Sequence, residues 1–131
     1  MNDAAVNHTD LETVLERAVF GADGLLPVIV QEADTKDVLM LAWMDPEAMR
    51  RTLTEGVVTF WSRSRQEYWR KGDTSGNHLH LDHASFDCDN DTLLLVVKPV
   101  AAACHTGEHS CFDVNPLDLA QRGAESHAAE S

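Results

Sequence analysis

Apolar positions change period several times along the chain, and each change marks an element. Leu11, Val14, Leu15, Ala18 and Val19 recur at helical spacing behind a Thr9/Glu12 capping-box pattern, so residues 9–19 are expected to form a helix stopped by Gly21. Leu26 to Ala33, with the β-branched run Val28-Ile29-Val30, reads as a strand. Asp34 to Asp37 is a turn, and Val38 to Trp43 is a second strand. Asp45-Pro46-Glu47 has the marks of a helix start: a capping Asp, Pro at the first helical position, and an acid at the positive end of the dipole. Gly56 ends that helix.

Val57 to Trp61 is a third apolar strand, and Ser62 to Ser75 is polar, basic and aromatic with Gly72 and Gly76 as breakers. Asn77 to His83 alternates as a half-buried strand should. Thr92 to Val97 is continuously apolar, which predicts a central strand closed by Pro99. Residues 103–113 read as a loop. Two short helices and five or six strands with hairpin-length links predict an α+β fold with a mainly antiparallel sheet.

A chain of 131 residues with 44% hydrophobic content suits one domain. Residues 9–117 are expected to hold it, with a flexible N-terminus at 1–8 and a disordered tail at 118–131 rich in Ala, Glu, Ser and His. No run approaches the ~18 apolar residues of a membrane span, so no membrane partner is expected. Met1 to Asp10 lacks the basic flank and apolar run of a signal peptide. Three cysteines cannot close a disulfide framework, which points to the cytoplasm.

The net charge of −12 argues against a nucleic-acid partner. Six of the ten basic residues nevertheless fall between Arg50 and Lys71, interleaved with Trp61, Tyr68 and Trp69. A concentrated basic and aromatic stretch in an acidic chain suits a small anion such as a phosphorylated metabolite, although a solvated basic surface would look similar.

The candidate chemistry lies further on. Cys88, Cys104 and Cys111 surround the acidic run Asp87-Cys88-Asp89-Asn90-Asp91. Soft thiolates suit zinc, and hard carboxylates suit magnesium, calcium or manganese. The cysteine spacing is not that of C-x-x-C knuckles, and three ligands with an open fourth position (water, substrate, His105 or His109) is a catalytic arrangement. If the segment is extended, Asp87, Asp89 and Asp91 share one face and Cys88 the other, whereas Asn90-Asp91 is turn chemistry and a solvated acidic turn would look similar. An EF-hand is excluded, because Thr92 stands at the sixth loop position and Lys98 at the twelfth. His105 follows a ligand candidate and suits metal binding or acid/base work. His78, His80 and His83 read as surface or pocket-lining residues.

Several blocks then occur in order: Leu41-Ala42-Trp43-Met44, Phe60 to Arg65, Trp69-Arg70-Lys71-Gly72, Ser75-Gly76-Asn77, Asp87 to Asp91, Cys104-His105-Thr106-Gly107 and Ser110-Cys111-Phe112. From about Leu41 to Phe112 the chain resembles the phosphoribosyl-AMP cyclohydrolase family, the third enzyme of histidine biosynthesis. That resemblance implies a hydrolase that opens the adenine ring of N1-(5-phosphoribosyl)-AMP by adding water at C6 and breaking the N1–C6 bond. It implies one zinc per subunit on Cys88, Cys104 and Cys111, and magnesium on Asp87, Asp89 and Asp91. It also implies an intertwined homodimer with its active site and zinc ligands shared between subunits. Trp61, Arg63, Ser64, Arg65, Trp69, Lys71, Ser75 and Asn77 are the substrate-binding candidates, and His105 is the candidate for moving a proton to N1. Ala101-Ala102-Ala103 stands where the family often has Gly-Pro-Ala. Residues 113–131 are too short for the second domain of bifunctional relatives.

Three rivals predict different behaviour. A zinc nucleobase deaminase would need H-x-E and P-C-x-x-C signatures, which are absent. A structural zinc-binding interaction protein would have a closed four-ligand site and no hydrolysis. A Cys104/Cys111 redox sensor would form a reversible disulfide.

Overall fold

The fold is described from a computed structural model in which residues 8–71, 76, 78–99 and 109–119 are placed. The elements run α1 (His8–Arg17), β1 (Leu26–Glu32), β2 (Val38–Met44), α2 (Pro46–Glu55), β3 (Thr59–Ser62), β4 (Glu67–Arg70), β5 (Leu79–Phe86) and β6 (Leu93–Pro99), then a 3-10 turn at Cys111–Asp113. Four strands form one sheet in the order β2-β1-β6-β5, and β3 and β4 form a separate hairpin. β1/β2 and β5/β6 are antiparallel, whereas β1 and β6 are parallel. The α+β expectation therefore holds, with one parallel pairing at the centre of the sheet. β6 lies between β1 and β5, the central place its unbroken apolar run predicts.

Local chemistry accounts for most boundaries. Asp45 caps α2 by accepting from the Ala48 N–H at 2.8 Å. Gly56 ends α2 with φ 78°, which a residue with a Cβ adopts only at a cost. α1 starts at His8 and ends at Arg17, earlier at both ends than the pattern suggested. Glu12 joins α1 to α2 instead, through Arg50 at 2.8 Å. β4 was hidden in the polar stretch after Ser62, because a four-residue strand of Glu, Tyr, Trp and Arg carries no continuous apolar run.

One face of the sheet is closed. Leu26, Val28 and Val30 of β1 are fully buried, as are Leu95 and Val97 of β6 and Met44 of β2. They pack with Ala48, Met49 and Leu53 of α2 and with Phe60 of β3. The opposite face is different. Ile29 is level with Leu41 on one side and Leu94 on the other. Leu41 is 48% exposed, and Ile29 and Leu94 are half-buried. Val96 on this face is buried, so among the described residues the face is covered in part and open along the Leu41–Ile29–Leu94 row.

Candidate metal and substrate site

The acidic run folds as a turn between β5 and β6, not as an extended segment. The Asn90 N–H donates to the Asp87 carbonyl at 3.1 Å. The Asp87 carboxylate accepts from the backbone N–H groups of Asp91 at 3.1 Å and Thr92 at 3.2 Å. Asn90 takes φ 64°, a conformation Asn tolerates better than most residues. The turn alternative holds and the face-by-face alternation of an extended segment does not, although the carboxylates still converge. Oxygens of Asp87, Asp89 and Asp91 lie within 4.8 Å of one another, all on exposed residues.

That proximity perturbs their protonation. Desolvation pulls Asp87 upward, but hydrogen bonds with the Asp91 side chain and the Asp91 and Thr92 backbone hold its carboxyl below the usual range. Asp91 is raised, first by its hydrogen bond with Asp89, then by desolvation and by contact with Asp87. A hard divalent cation would relieve the repulsion among the three carboxylates, and an all-oxygen donor set fits one.

Asn90 also fixes the turn to the rest of the chain. Its side-chain amide donates to the Arg17 carbonyl at 3.1 Å, and its own carbonyl accepts from the Val19 N–H at 2.8 Å. The Arg17 guanidinium lies 5.4 Å from the Phe86 ring centroid.

The described thiols are far apart. Cys88 and Cys111 are both exposed. Cys88 sits beyond Phe86 and Leu93, at the end of the sheet where β1 begins. Cys111 follows Ser110, whose hydroxyl donates to the Val38 carbonyl at the start of β2. Val38 is level with Gln31, near the other end of β1. The two thiols thus occupy opposite ends and opposite edges of the sheet. Three strand spacings of about 4.8 Å and four or five rises of about 3.3 Å separate them by on the order of 20 Å. Two sulfurs on one zinc, with bonds of about 2.3 Å, stand roughly 4 Å apart. One chain does not bring Cys88 and Cys111 to one ion. Cys104 and His105 lie outside the described residues.

His109 is engaged elsewhere than on a zinc. Its Nε2 is 2.9 Å from Glu32 Oε1 and 3.1 Å from Asp37 Oδ2, both at the β1–β2 turn. These three side chains form a second cluster with ligand atoms within 4.8 Å. No pattern along the chain announces it, because Glu32 and Asp37 meet His109 only through the fold.

The basic hairpin is partly assembled. Trp61 and Arg63 line a cavity of about 540 Å³ with Asp23, Asp45, Pro46 and Gln66. The Arg63 guanidinium stacks 4.3 Å from the Trp43 ring centroid. Ser64 and Arg65 are exposed at the hairpin tip, and Arg65 leans to Glu67 at 3.5 Å. Trp69 packs against buried Phe60 with centroids 4.9 Å apart, so much of it serves the core. Trp61 makes an edge contact with Tyr68, also at 4.9 Å. Burial and then a 2.6 Å hydrogen bond to Asp45 push the Tyr68 phenol up to about 12, so it stays protonated and donates. Lys71 is half-buried just past β4. Ser75 and Asn77 lie outside the described residues.

A profile of the phosphoribosyl-AMP cyclohydrolase family matches residues 40–113, which include every candidate site residue named above. The chain belongs to the phosphoribosyl-AMP cyclohydrolase family. Among similar proteins, the phosphoribosyl-AMP cyclohydrolase of Leifsonia xyli subsp. xyli is 61% identical over 109 residues, covering 83% of this chain and 87% of its own. The one from Streptomyces griseus subsp. griseus is 58% identical over 106 residues, covering 81% and 85%. The one from Bifidobacterium longum is 55% identical over 117 residues, covering 88% and 89%. A cyclohydrolase of this family must position a nucleotide and a water. The acidic turn and the Trp61–Arg63 cavity lie toward the same end of the sheet, the end where Trp43 and Met44 finish β2.

Proposed function

We propose that this chain opens the adenine ring of phosphoribosyl-AMP in histidine biosynthesis, as a homodimer holding zinc and magnesium. The observation that carries the reading is the turn that gathers Asp87, Asp89 and Asp91 beside Cys88 inside the family match. Magnesium would sit on the three carboxylates and zinc on Cys88, Cys104 and Cys111. Zinc bound by thiolates with an open position supplies Lewis acidity and activates water near neutral pH.

The separation of Cys88 from Cys111 favours a zinc shared between two copies. The flanks of the undescribed segment, Pro99 and His109, both lie at the Cys111 end of the sheet, which favours Cys104 and Cys111 coming from one subunit and Cys88 from the other. The uncovered apolar row Leu41–Ile29–Leu94, with exposed Val38, Phe112 and Val114 near Cys111, offers a surface for that second copy.

The remaining groups bind and orient. Arg63 offers a guanidinium for a phosphate, and Trp61 offers a ring for the purine. Water adds to C6, the N1–C6 bond breaks, and a proton passes to N1; His105 is assigned to that transfer. Arg65, Ser64, Lys71, Ser75 and Asn77 complete the substrate contacts, and Trp69 contributes through its packing. The domain is assigned to residues 9–117 and the setting to the cytoplasm. Among the described residues, no helix is long and apolar enough to cross a membrane.

The test is an assay of purified chain with phosphoribosyl-AMP, following purine ring opening by ultraviolet absorbance. Turnover should vanish with a zinc chelator and return with added zinc. Absence of ring opening in the metal-loaded protein would contradict the reading.

A further inference from the structure

Ser110 immediately precedes a thiol assigned to zinc, and it is only 4% exposed. Its hydroxyl donates to the Val38 carbonyl at 2.7 Å, with the Leu39 carbonyl a further 3.3 Å contact. The same oxygen accepts from the Phe112 N–H at 3.0 Å, and the Ser110 carbonyl accepts from the Asp113 N–H at 3.1 Å. One buried hydroxyl therefore caps the turn that carries Cys111 and fastens it to the start of β2. On the residue before it, exposed His109 adds a second tie to Glu32 and Asp37.

We infer that Ser110 is a positioning residue for zinc: it sets the direction of the Cys111 thiol without touching the metal. The inference rests on the zinc reading above. Two features make the role specific. Both backbone groups flanking Cys111 are held, since Ser110 is docked below it and the Phe112 N–H is bound above it. The anchor is also a β2 carbonyl, and β2 is the edge strand at the open apolar row. A thiolate presented to a second subunit needs such a fixed base, because an exposed thiol on an unanchored loop would lose orientational freedom on binding metal. Alanine at this position removes the donor, the cap and the acceptor together.

The experiment measures zinc affinity by competition with a chromogenic chelator, magnesium affinity by calorimetry, and the melting temperature of the metal-free protein. It uses the wild-type full chain, Ser110→Ala and Ser110→Thr. Ser110→Ala should bind zinc roughly 10- to 100-fold more weakly, the range for outer-shell changes at metal sites. Its magnesium affinity should stay within about twofold, because the carboxylates are held by the N–H groups of their own turn and by Asn90, none of which Ser110 touches. Cobalt(II) in the zinc position should show altered ligand-field absorption in Ser110→Ala. Ser110→Thr, which keeps the hydroxyl, should restore most of the zinc affinity. Wild-type protein that binds zinc beside an Ala variant that binds it equally well overturns the inference alone. An Ala variant that loses zinc, magnesium and melting temperature together also overturns it, since the hydroxyl then supports the fold at large. A Thr variant as weak as the Ala variant has the same force. Wild-type protein that takes up no zinc overturns the zinc reading itself.

Discussion

Cys88 and Cys111 sit on two short segments built in different ways. The Cys88 turn is polar and exposed; the Asp87 carboxylate holds it from within, and its Asn90 amide ties it to the Arg17 carbonyl at the end of α1. The Cys111 turn is closed by the Ser110 hydroxyl and carbonyl, which accept from the Phe112 and Asp113 N–H groups, and the same buried hydroxyl sews it to β2. A hard-cation site can be preassembled in a single turn, because local backbone N–H groups restrain carboxylates that repel one another. Two thiols on segments on the order of 20 Å apart, by contrast, cannot meet at one ion within one chain. Cys88 also travels with the acids, so damage to the β5–β6 turn should disturb both metals, whereas damage at Ser110 should disturb zinc alone.

The largest effect expected is from the thiols. Cys88→Ser or Cys111→Ser should each remove zinc and lower turnover by on the order of a hundredfold or more, measured by metal analysis and steady-state assay. A fully active single variant would remove that thiol from the site. Next is Asp87→Asn, which can keep the acceptor for Asp91 and Thr92 but loses a ligand charge. Magnesium affinity should fall on the order of tenfold or more by calorimetry, with the melting temperature nearly unchanged.

A smaller effect separates the two jobs of Asn90. Asn90→Ala should destabilise the protein by about 1–2 kcal/mol, from left-handed strain and a lost hydrogen bond. Asn90→Gly should recover the strain component in chemical denaturation. Equal losses would show that the backbone conformation is unimportant there.

The smallest effect concerns pH. Asp91 is raised in the folded chain, so just above the ordinary carboxylate range the folded state holds a proton the unfolded state does not. Its contribution to stability is therefore lost as pH rises through that raised value. Asp87 is lowered and acts oppositely: its contribution is present above the ordinary value and lost as pH falls through the lowered one. Saturating magnesium should abolish the Asp91 slope, checked by melting curves with and without the ion. A slope unaffected by magnesium would separate the proton from the cation site.

Much of this was legible in the chain because the signals are local. Asp45-Pro46 and Gly56 bracket α2 through capping chemistry that needs no distant partner. The run from Thr92 to Val97 announces a strand paired along both edges. The acid cluster was legible as a set of ligands, but the sequence left an extended segment and a turn both open. Alternation along a strand suggested convergence, whereas a turn with Asn90 in the left-handed region achieves it. The Asn between two acids was the available clue. β4 was invisible because its stability comes from pairing Trp61 with Tyr68 and Phe60 with Trp69 across the hairpin. The Glu32–Asp37–His109 contact and the seat of Ser110 on β2 join residues some 70 positions apart, beyond any pattern read along the chain.

The separation of the two thiols is tested most directly by mixing two inactive proteins. Cys88→Ser and Cys111→Ser subunits, denatured together and refolded at equal concentration, should form mixed dimers in half of the cases. Each mixed dimer would carry one site with all wild-type thiols, so activity and bound zinc should return to about a quarter of the wild-type level. A mixture as inactive as its two components would contradict a zinc site built from two chains.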